Sequence, residues 1–364
     1  MKYAQLEPPA KPHSKPHTKP DSIIVKYIQL PNEFNHPRGW NSAISHQRKL
    51  KSYEVESNWY QSFNQQNDCF KMPKCLGVFK DNNERVIVLE DLDASGYEAR
   101  LTSVNDSQIK QVIKWLAYFH VAHLQLKVDS CFEDLWGDLW GIGTYWNLDT
   151  RPEELDALTD IPLKQNAKRI DQLLNDCPVQ TLVHGDAKLA NFCFDLKNEQ
   201  VAGVDFQYIG KGVGVKDLAY FLGGCFEPSF YAEGFLNADG SCSLCADGSC
   251  SLCADGSCSL HAEGSLYAEG SKCAGTKCEI VVNQYVDYYF EQLNTALKES
   301  AKTSDKKSGK EFDQLEELWR DLFDIAWVDF QRFVKGWSPD HWKINNFSEQ
   351  LKNNVLEKMK KDSK

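Results

Sequence analysis

Leu182–Phe206 reads LVHGDAKLANFCFDLKNEQVAGVDF, and this stretch decides how the rest of the chain is read. It sets Asp186 in a short loop, with Lys188 and then Asn191 just after it. Two short apolar runs follow, Asn191–Phe194 and Gln200–Val204, split by the polar turn Asp195–Glu199, which is the pattern of a hairpin. Asp205 ends the second run. Phosphoryl transfer from a nucleotide needs this inventory: a carboxylate to orient the attacking hydroxyl and accept its proton, and an Asn and an Asp to hold magnesium on the phosphates. Hard Mg²⁺ takes oxygen ligands and is usually held by one or two carboxylates plus substrate phosphates, so two side chains suffice. A lysine two residues after the acid can reach the charge developing on the moving phosphate. A buried hairpin whose acids merely cap turns would explain any one of these residues but not the ordered set.

HGDAKLAN resembles the catalytic loop of the aminoglycoside phosphotransferase and choline-kinase-like superfamily, relatives of the protein kinases. On the pattern H-x-D-x-x-x-x-N, His184, Asp186 and Asn191 all match, and Val204–Gln207 (VDFQ) stands where those proteins carry a second metal-binding aspartate. The resemblance implies a protein-kinase-like α+β fold. Its small sheet lobe, partly truncated, would span residues 1–92, and a larger, mainly helical catalytic and substrate lobe would span 93–364. It also implies ATP-dependent phosphorylation of a hydroxyl on a small molecule. Asp186 would be the base or orienter, Lys188 would lie at the γ-phosphate, and Asn191 and Asp205 would hold Mg²⁺.

Working upstream, Ser22–Ile28 (SIIVKYI) is a strand rich in β-branched residues with Lys26 inside it. The kinase-like scheme makes Lys26 a phosphate-binding residue. A glycine-rich turn should precede it, yet the first twenty-six residues contain no glycine. Residues 1–21 instead repeat Lys-Pro-His, which suits an extended linker or a loosened hairpin loop between Tyr3–Leu6 and the strand. Arg48–Phe63 has a helical period. At about 100° per residue, Tyr53, Glu56, Tyr60 and Phe63 share a face and Glu54 points nearly opposite. An inward glutamate on an apolar face needs a cation, and Lys26 is the candidate, as in the strand-lysine to helix-glutamate pair of kinases. Val86–Leu89 is an apolar strand that runs into Glu90-Asp91-Leu92, where the resemblance places the nucleotide-binding hinge; Glu90 and Leu92 are therefore expected at the adenine. Lys49–Tyr60 and Glu90–Tyr97 are similar to the ecdysteroid-kinase-like branch in particular.

Ser107–Leu124 is a strong helix with His120 and His123 on its apolar face, where histidines are usually satisfied core residues. Two tryptophan-rich blocks follow, Leu135–Trp146 and Gly336–Trp342. Most such rings pack a core, but some can wall a pocket for an ammonium group. Together with the excess of acid outside the first fifty-one residues, they leave an amino-alcohol or other cationic alcohol open as the substrate. Asp217 opens a helix, and the resemblance gives it the role of bracing the catalytic loop.

Residues 238–278 break the pattern. Ala238–Cys253 is ADGSCSLC twice, then ADGSCSLH, then the shorter AEGSLY and AEGSKC, which reads as an insertion grown by repeat slippage. The pairs Cys242/Cys245 and Cys250/Cys253 have zinc-ligand spacing, but duplicating any such octapeptide creates it, so an exposed segment dispensable for catalysis is expected. Helices at Ile280–Leu297 and Glu316–Phe333 would flank a polar loop at Lys298–Glu311, and the charged tail beyond Asn354 is expected to fray.

A net charge of −11 argues against general nucleic-acid or membrane-surface binding. Seven of thirteen cysteines fall in the repeat segment. The other six sit in apolar contexts as buried free thiols do, and no secretory signal appears, so a reducing cytoplasm is expected. The lack of a glycine-rich turn leaves a second class open, a catalytically impaired kinase-fold protein that binds nucleotide or acts as a scaffold. A protein-directed kinase is disfavoured, because no activation segment with an APE-like end follows Asp205.

Overall fold

A computed structural model of the chain describes residues 22–30, 43–64, 67, 69–124, 136–226, 230, 267–268, 271–272, 277–302 and 309–362. The Lys-Pro-His repeats and the octapeptide cysteines lie outside these residues.

The β-branched segments β1 (Ile23–Gln29) and β3 (Glu84–Glu90), with β2 (Cys75–Asp81), form an antiparallel sheet in the order β1-β3-β2. The register pairs Lys26 with Ile87, and Asn82 turns β2 into β3 with a left-handed φ of 40°, a conformation asparagine tolerates. Helix α1 (Ala43–Asn58) lies against the sheet and continues as one π turn, Trp59–Phe63. It starts five residues before the expected position. Arg48 anchors that first turn by donating to the Thr150 carbonyl and to Ser45 Oγ, contacts that lie far off in sequence or are masked by polar residues. The helix phase is as read from the sequence: Glu56 is buried and Glu54 exposed.

Helix α2 (Asp106–Ala122) begins at a capping box, in which Asn105 accepts from the Gln108 N–H and Gln108 accepts from the Asn105 N–H. Its stripe Ile109, Val112, Ile113, Leu116 and Phe119 is fully buried. Trp115 and Phe119 stack at 5.0 Å and, with Trp59, Phe70 and Phe206, build an aromatic centre against His184 of the loop that follows Val183. Next come α3 (Pro152–Ala157), α4 (Ile161–Asn175), β4 (Thr181–Val183), β5 (Phe192–Asp195), β6 (Gln200–Gly203), β7 (Gly210–Gly212) and α5 (Val215–Cys225). β5 and β6 are the hairpin read from the sequence, and β4 pairs with β7 beside it.

A two-residue strand pair, β8 (Tyr267–Ala268) and β9 (Ser271–Lys272), precedes three helices: α6 (Lys277–Lys302), α7 (Gly309–Trp337) and α8 (Asn346–Lys361). Helix α6 packs on α2, and α7 packs on α3, α4, α5 and α8. Two expectations need correcting. The expected polar loop Lys298–Glu311 is too long at both ends, since α6 runs to Lys302 and α7 starts at Gly309; residues 303–308 lie outside the described residues. The tail does not fray at Asn354. Phe347, Leu351, Val355 and Met359 fall four apart and are all buried, while Lys358, Lys360 and Lys361 complement the helix C-terminus. The high charge of the segment hides that stripe.

Cys278, grouped with the repeat by composition, is instead the second residue of α6 and is buried, with its thiol donating to the Phe230 carbonyl at 3.2 Å. Of the other cysteines, Cys177, Cys193 and Cys225 are buried free thiols, but Cys69 is exposed. No described helix is long and apolar enough to cross a membrane.

Candidate active site

Gly185 sits between β4 and the loop acid with φ +78°; a Cβ there would meet the Tyr208 carbonyl at 2.1 Å, so only glycine fits. The loop is then held by its own polar groups. The Asp217 carboxylate, buried at the start of α5, accepts the backbone N–H of His184 at 2.6 Å and of Gly185 at 2.9 Å. It also accepts from His120 Nε2, whose ring bonds the Tyr289 hydroxyl through Nδ1. Nε2 toward Asp217 and Nδ1 toward Tyr289 give both ring nitrogens of His120 a partner. His120 is thus a satisfied core residue that also braces the loop. His123 lies among Trp59, Phe70 and Phe119, where burial lowers its pKa to about 4. His184 accepts the Asp186 N–H at Nδ1 and reaches the Val204 carbonyl from Nε2 at 3.0 Å, which ties the loop to the segment carrying Asp205.

Asp186 is buried, and three side chains converge on its carboxylate. Lys188 Nζ donates to Oδ2 at 2.7 Å, Asn191 Nδ2 to Oδ2 at 3.1 Å, and the Tyr220 hydroxyl to Oδ1 at 3.1 Å. Burial pushes the carboxyl above the usual aspartate range against the pull of Lys188. The sequence reading missed Tyr220. It lies three residues after Asp217, so one turn of α5 presents both to the loop, and that spacing was the available signal.

Across from this, Lys26 on β1 makes a bidentate pair with Glu56 of α1, at 2.7 Å and 2.6 Å, and lies 3.6 Å from Asp205 Oδ1. Burial works against both charges of the pair. For the ammonium, Glu56 and then Asp205 outweigh it and hold Lys26 above the ordinary lysine range. Asp205 has a left-handed φ of 68°, an unfavourable backbone for a non-glycine residue that is typical of functional positions.

The donor set suits a hard divalent cation. Among the described residues, Asp205 Oδ1 is buried with no hydrogen-bond partner, and Asn191 spends its amide N–H groups on the Asp186 carbonyl and carboxylate while its oxygen takes no donor. Among the described residues no group of three His, Cys, Asp or Glu could hold a metal, and an Asn–Asp pair that shares a cation with phosphates does not require one.

The hinge residues are placed less openly. The Glu90 carboxylate is taken up by Lys71 Nζ, Lys74 N–H and Ser95 Oγ, so it fixes the end of β3. Leu92 is buried beside Tyr97, Cys193 and Ala202, and its carbonyl accepts from the Ser95 and Tyr97 N–H groups. The tryptophan blocks divide. Trp140 and Trp146 are buried with their indole N–H groups bonded to the Gln207 carbonyl and to Asp329, so Trp146 does not wall an open pocket. Trp337 and Trp342 are 44% and 37% exposed. Trp342 stacks on His341 and flanks Lys343.

A buried loop acid gripped by a lysine, an asparagine and a tyrosine, with a second acid beside a lysine–glutamate pair, is a constellation suited to phosphoryl transfer. Residues 43–247, more than half of the chain, match the family described as the phosphotransferase enzyme family, APH. The chain belongs to that family. No curated protein matches it in sequence. Among solved structures, one described as the microcompartment-associated aminopropanol kinase aligns with a TM-score of 0.39 and 9% identity, covering 87% of this chain and 83% of that one.

Proposed function

We propose that this protein is an ATP-dependent kinase of a small-molecule hydroxyl, built as two lobes divided near residue 92. The observation that carries this reading is the Asp186 carboxylate, buried and held by Lys188, Asn191 and Tyr220 next to a loop tied to Asp205. Asp186 orients the acceptor hydroxyl and takes its proton as the acceptor oxygen bonds the γ-phosphorus and the bond to the ADP oxygen breaks. Lys188 stabilises charge on the phosphoryl group in transfer. Lys26, fixed by Glu56, positions the nucleotide phosphates, and the backbone around Glu90–Leu92 meets the adenine. Asn191 and Asp205 would hold Mg²⁺, which neutralises phosphate charge when bound. The Asp217–His120–Tyr289 chain keeps the loop in register without touching substrate. A reducing cytoplasm is the setting we assign, in keeping with the buried free thiols.

The test is ATP consumption across a panel of small alcohols, with Asp186→Ala as control. Turnover with one acceptor, abolished in the variant, supports the reading; equal turnover in the variant overturns it. A second reading, nucleotide binding without turnover, is motivated by the lack of glycine in residues 1–26. It predicts Mg·ATP binding with no acceptor-dependent ADP release.

A further inference from the structure

The turn between α7 and α8 carries a lysine that the catalytic machinery does not use. Lys343 Nζ lies 5.1 Å from the ring centroids of Tyr220 and Phe330 and 5.6 Å from that of Trp342. Gly224 makes room for it: a Cβ there would come within 2.6 Å of the ammonium nitrogen. Tyr220 is the residue whose hydroxyl holds Asp186, so the aromatic seat of Lys343 is continuous with the catalytic loop. Trp342 and Trp337 leave exposed ring surface on the same turn.

An aromatic cage of this kind could receive a cationic ligand, but here it is filled by the chain's own ammonium. Lys343 has three N–H donors and, among the described residues, no oxygen accepts from them. Ring faces attract a cation but do not take its hydrogen bonds, and Lys343 Nζ is not sealed from solvent, so those donors are open to a ligand that supplies an oxygen.

We propose, resting on the kinase reading above, that Lys343 binds the acceptor through an oxyanion, a carboxylate or phosphate set beside the hydroxyl to be phosphorylated, and thereby bars amino-alcohols. A cationic acceptor would meet like charge at that place, so the substrate class moves from amino-alcohol to hydroxy acid or phosphorylated alcohol. The groups facing Lys343 agree. Burial lowers its pKa to about 8. Cys225 and Asp186 oppose that only in part, and Lys188 adds to it. His341 on its own turn, whose Nδ1 accepts the backbone N–H of Lys343, is held below the ordinary histidine range, first by burial and then by Lys343. Tyr220 is held neutral by burial beside Asp186. A bound oxyanion would supply the missing acceptor.

The test uses three probes that share one phenyl-bearing primary alcohol: tropate, 2-phenylpropane-1,3-diol and 3-amino-2-phenylpropan-1-ol, with the monophosphate of the diol as the phosphate arm. Binding to the full chain is measured by calorimetry, so no turnover is needed. Wild type should bind the two anions more tightly than the diol, and the amine most weakly. Which anion is tighter identifies the oxyanion. Lys343→Met should erase this preference, weakening the anions by about ten- to a hundredfold, as losing a charged hydrogen bond does, while Lys343→Arg keeps most of it. Mg·ATP affinity should not change in either variant. Tightest binding by the amine, binding of none of the four, an order unchanged in Lys343→Met, or loss of Mg·ATP instead would each overturn the assignment. Anion preference in a chain that never transfers phosphate would retain this site and remove the kinase reading, so the two fail separately.

Discussion

Lys26 and Lys343 both lie near the acids of the candidate site, one beside Asp205 on a strand and one over Tyr220 in a helix–helix turn. Lys26 has a glutamate on it twice over and a second acid at 3.6 Å, and its charge is stabilised above the ordinary lysine range. Lys343 has ring faces and, among the described residues, no acceptor for its ammonium, and its pKa falls to about 8. The same ammonium is therefore a permanent structural cation in one region and a titratable, ligand-seeking one in the other. Burial is common to both, so the partner decides the outcome.

The acid between them should show the largest effect. Asp186→Asn keeps the side-chain shape and one oxygen, so it can retain the donation from Lys188 or from Tyr220 but not both, and it removes the proton acceptor, so kcat should fall by about 10²–10⁴-fold with Mg·ATP affinity nearly intact. A variant retaining more than half of wild-type kcat would remove Asp186 from the chemistry. Asp205→Ala should differ by weakening Mg·ATP as well, which titrating Mg²⁺ at fixed ATP would reveal.

Breaking the satisfied pair comes next. Lys26→Met leaves Glu56 as a buried carboxylate without its cation, a change that costs about 3–5 kcal/mol in urea denaturation. Adding Glu56→Gln should recover part of that loss. No recovery in the double variant would mean that Lys26 stabilises the fold through its stem and not its charge. The two tryptophan regions offer the same contrast in apolar form. Trp146→Ala should cost about 3–5 kcal/mol of stability, whereas Trp342→Ala, on an exposed ring, should leave stability nearly unchanged and act on acceptor KM. Equal stability losses would place both rings in the core.

The smallest effect is in pH. Asp186 must be ionised to act as base and its pKa is raised, so kcat/KM should fall on the acid side at a pH above the usual aspartate range. Lys343 must be protonated to hold an anion, so acceptor affinity should fall as pH rises through about 8. The Lys343→Met profile should lose only the alkaline limb. Loss of the acid limb, or persistence of both, would assign the alkaline limb elsewhere.

How much of this could be read from the chain depended on distance along it. The catalytic loop, the β5–β6 hairpin and the inward phase of Glu56 are set by residues within a few turns of one another, and the sequence displays them directly. Tyr220 was one helical turn from a residue already singled out and still went unnoticed, because its role depends on where α5 meets the loop. Lys343 lies 157 positions from Asp186, and nothing local distinguishes it from the other lysines near the C-terminus. Helix α8 shows the converse: its apolar stripe was present, but surrounding charge outweighed it. The tryptophan blocks look alike in composition, and only the packing of α7 against α5 separates a core from a surface.

The contact between the Cys278 thiol and the Phe230 carbonyl has a consequence for how the chain tolerates its repeat. It fixes the point of return beside the point of departure, with Phe226 and Phe230 stacked at 4.1 Å at the exit. Tyr289, which completes the brace on Asp217 through His120, lies on the returning helix. With both ends pinned, a flexible insertion between them would enter folding as loop-closure entropy, which grows only logarithmically: doubling its length costs about 0.6 kcal/mol. On that scaling, gaining or losing octapeptide units should change the melting temperature of the phosphotransferase fold very little, provided the two ends still meet.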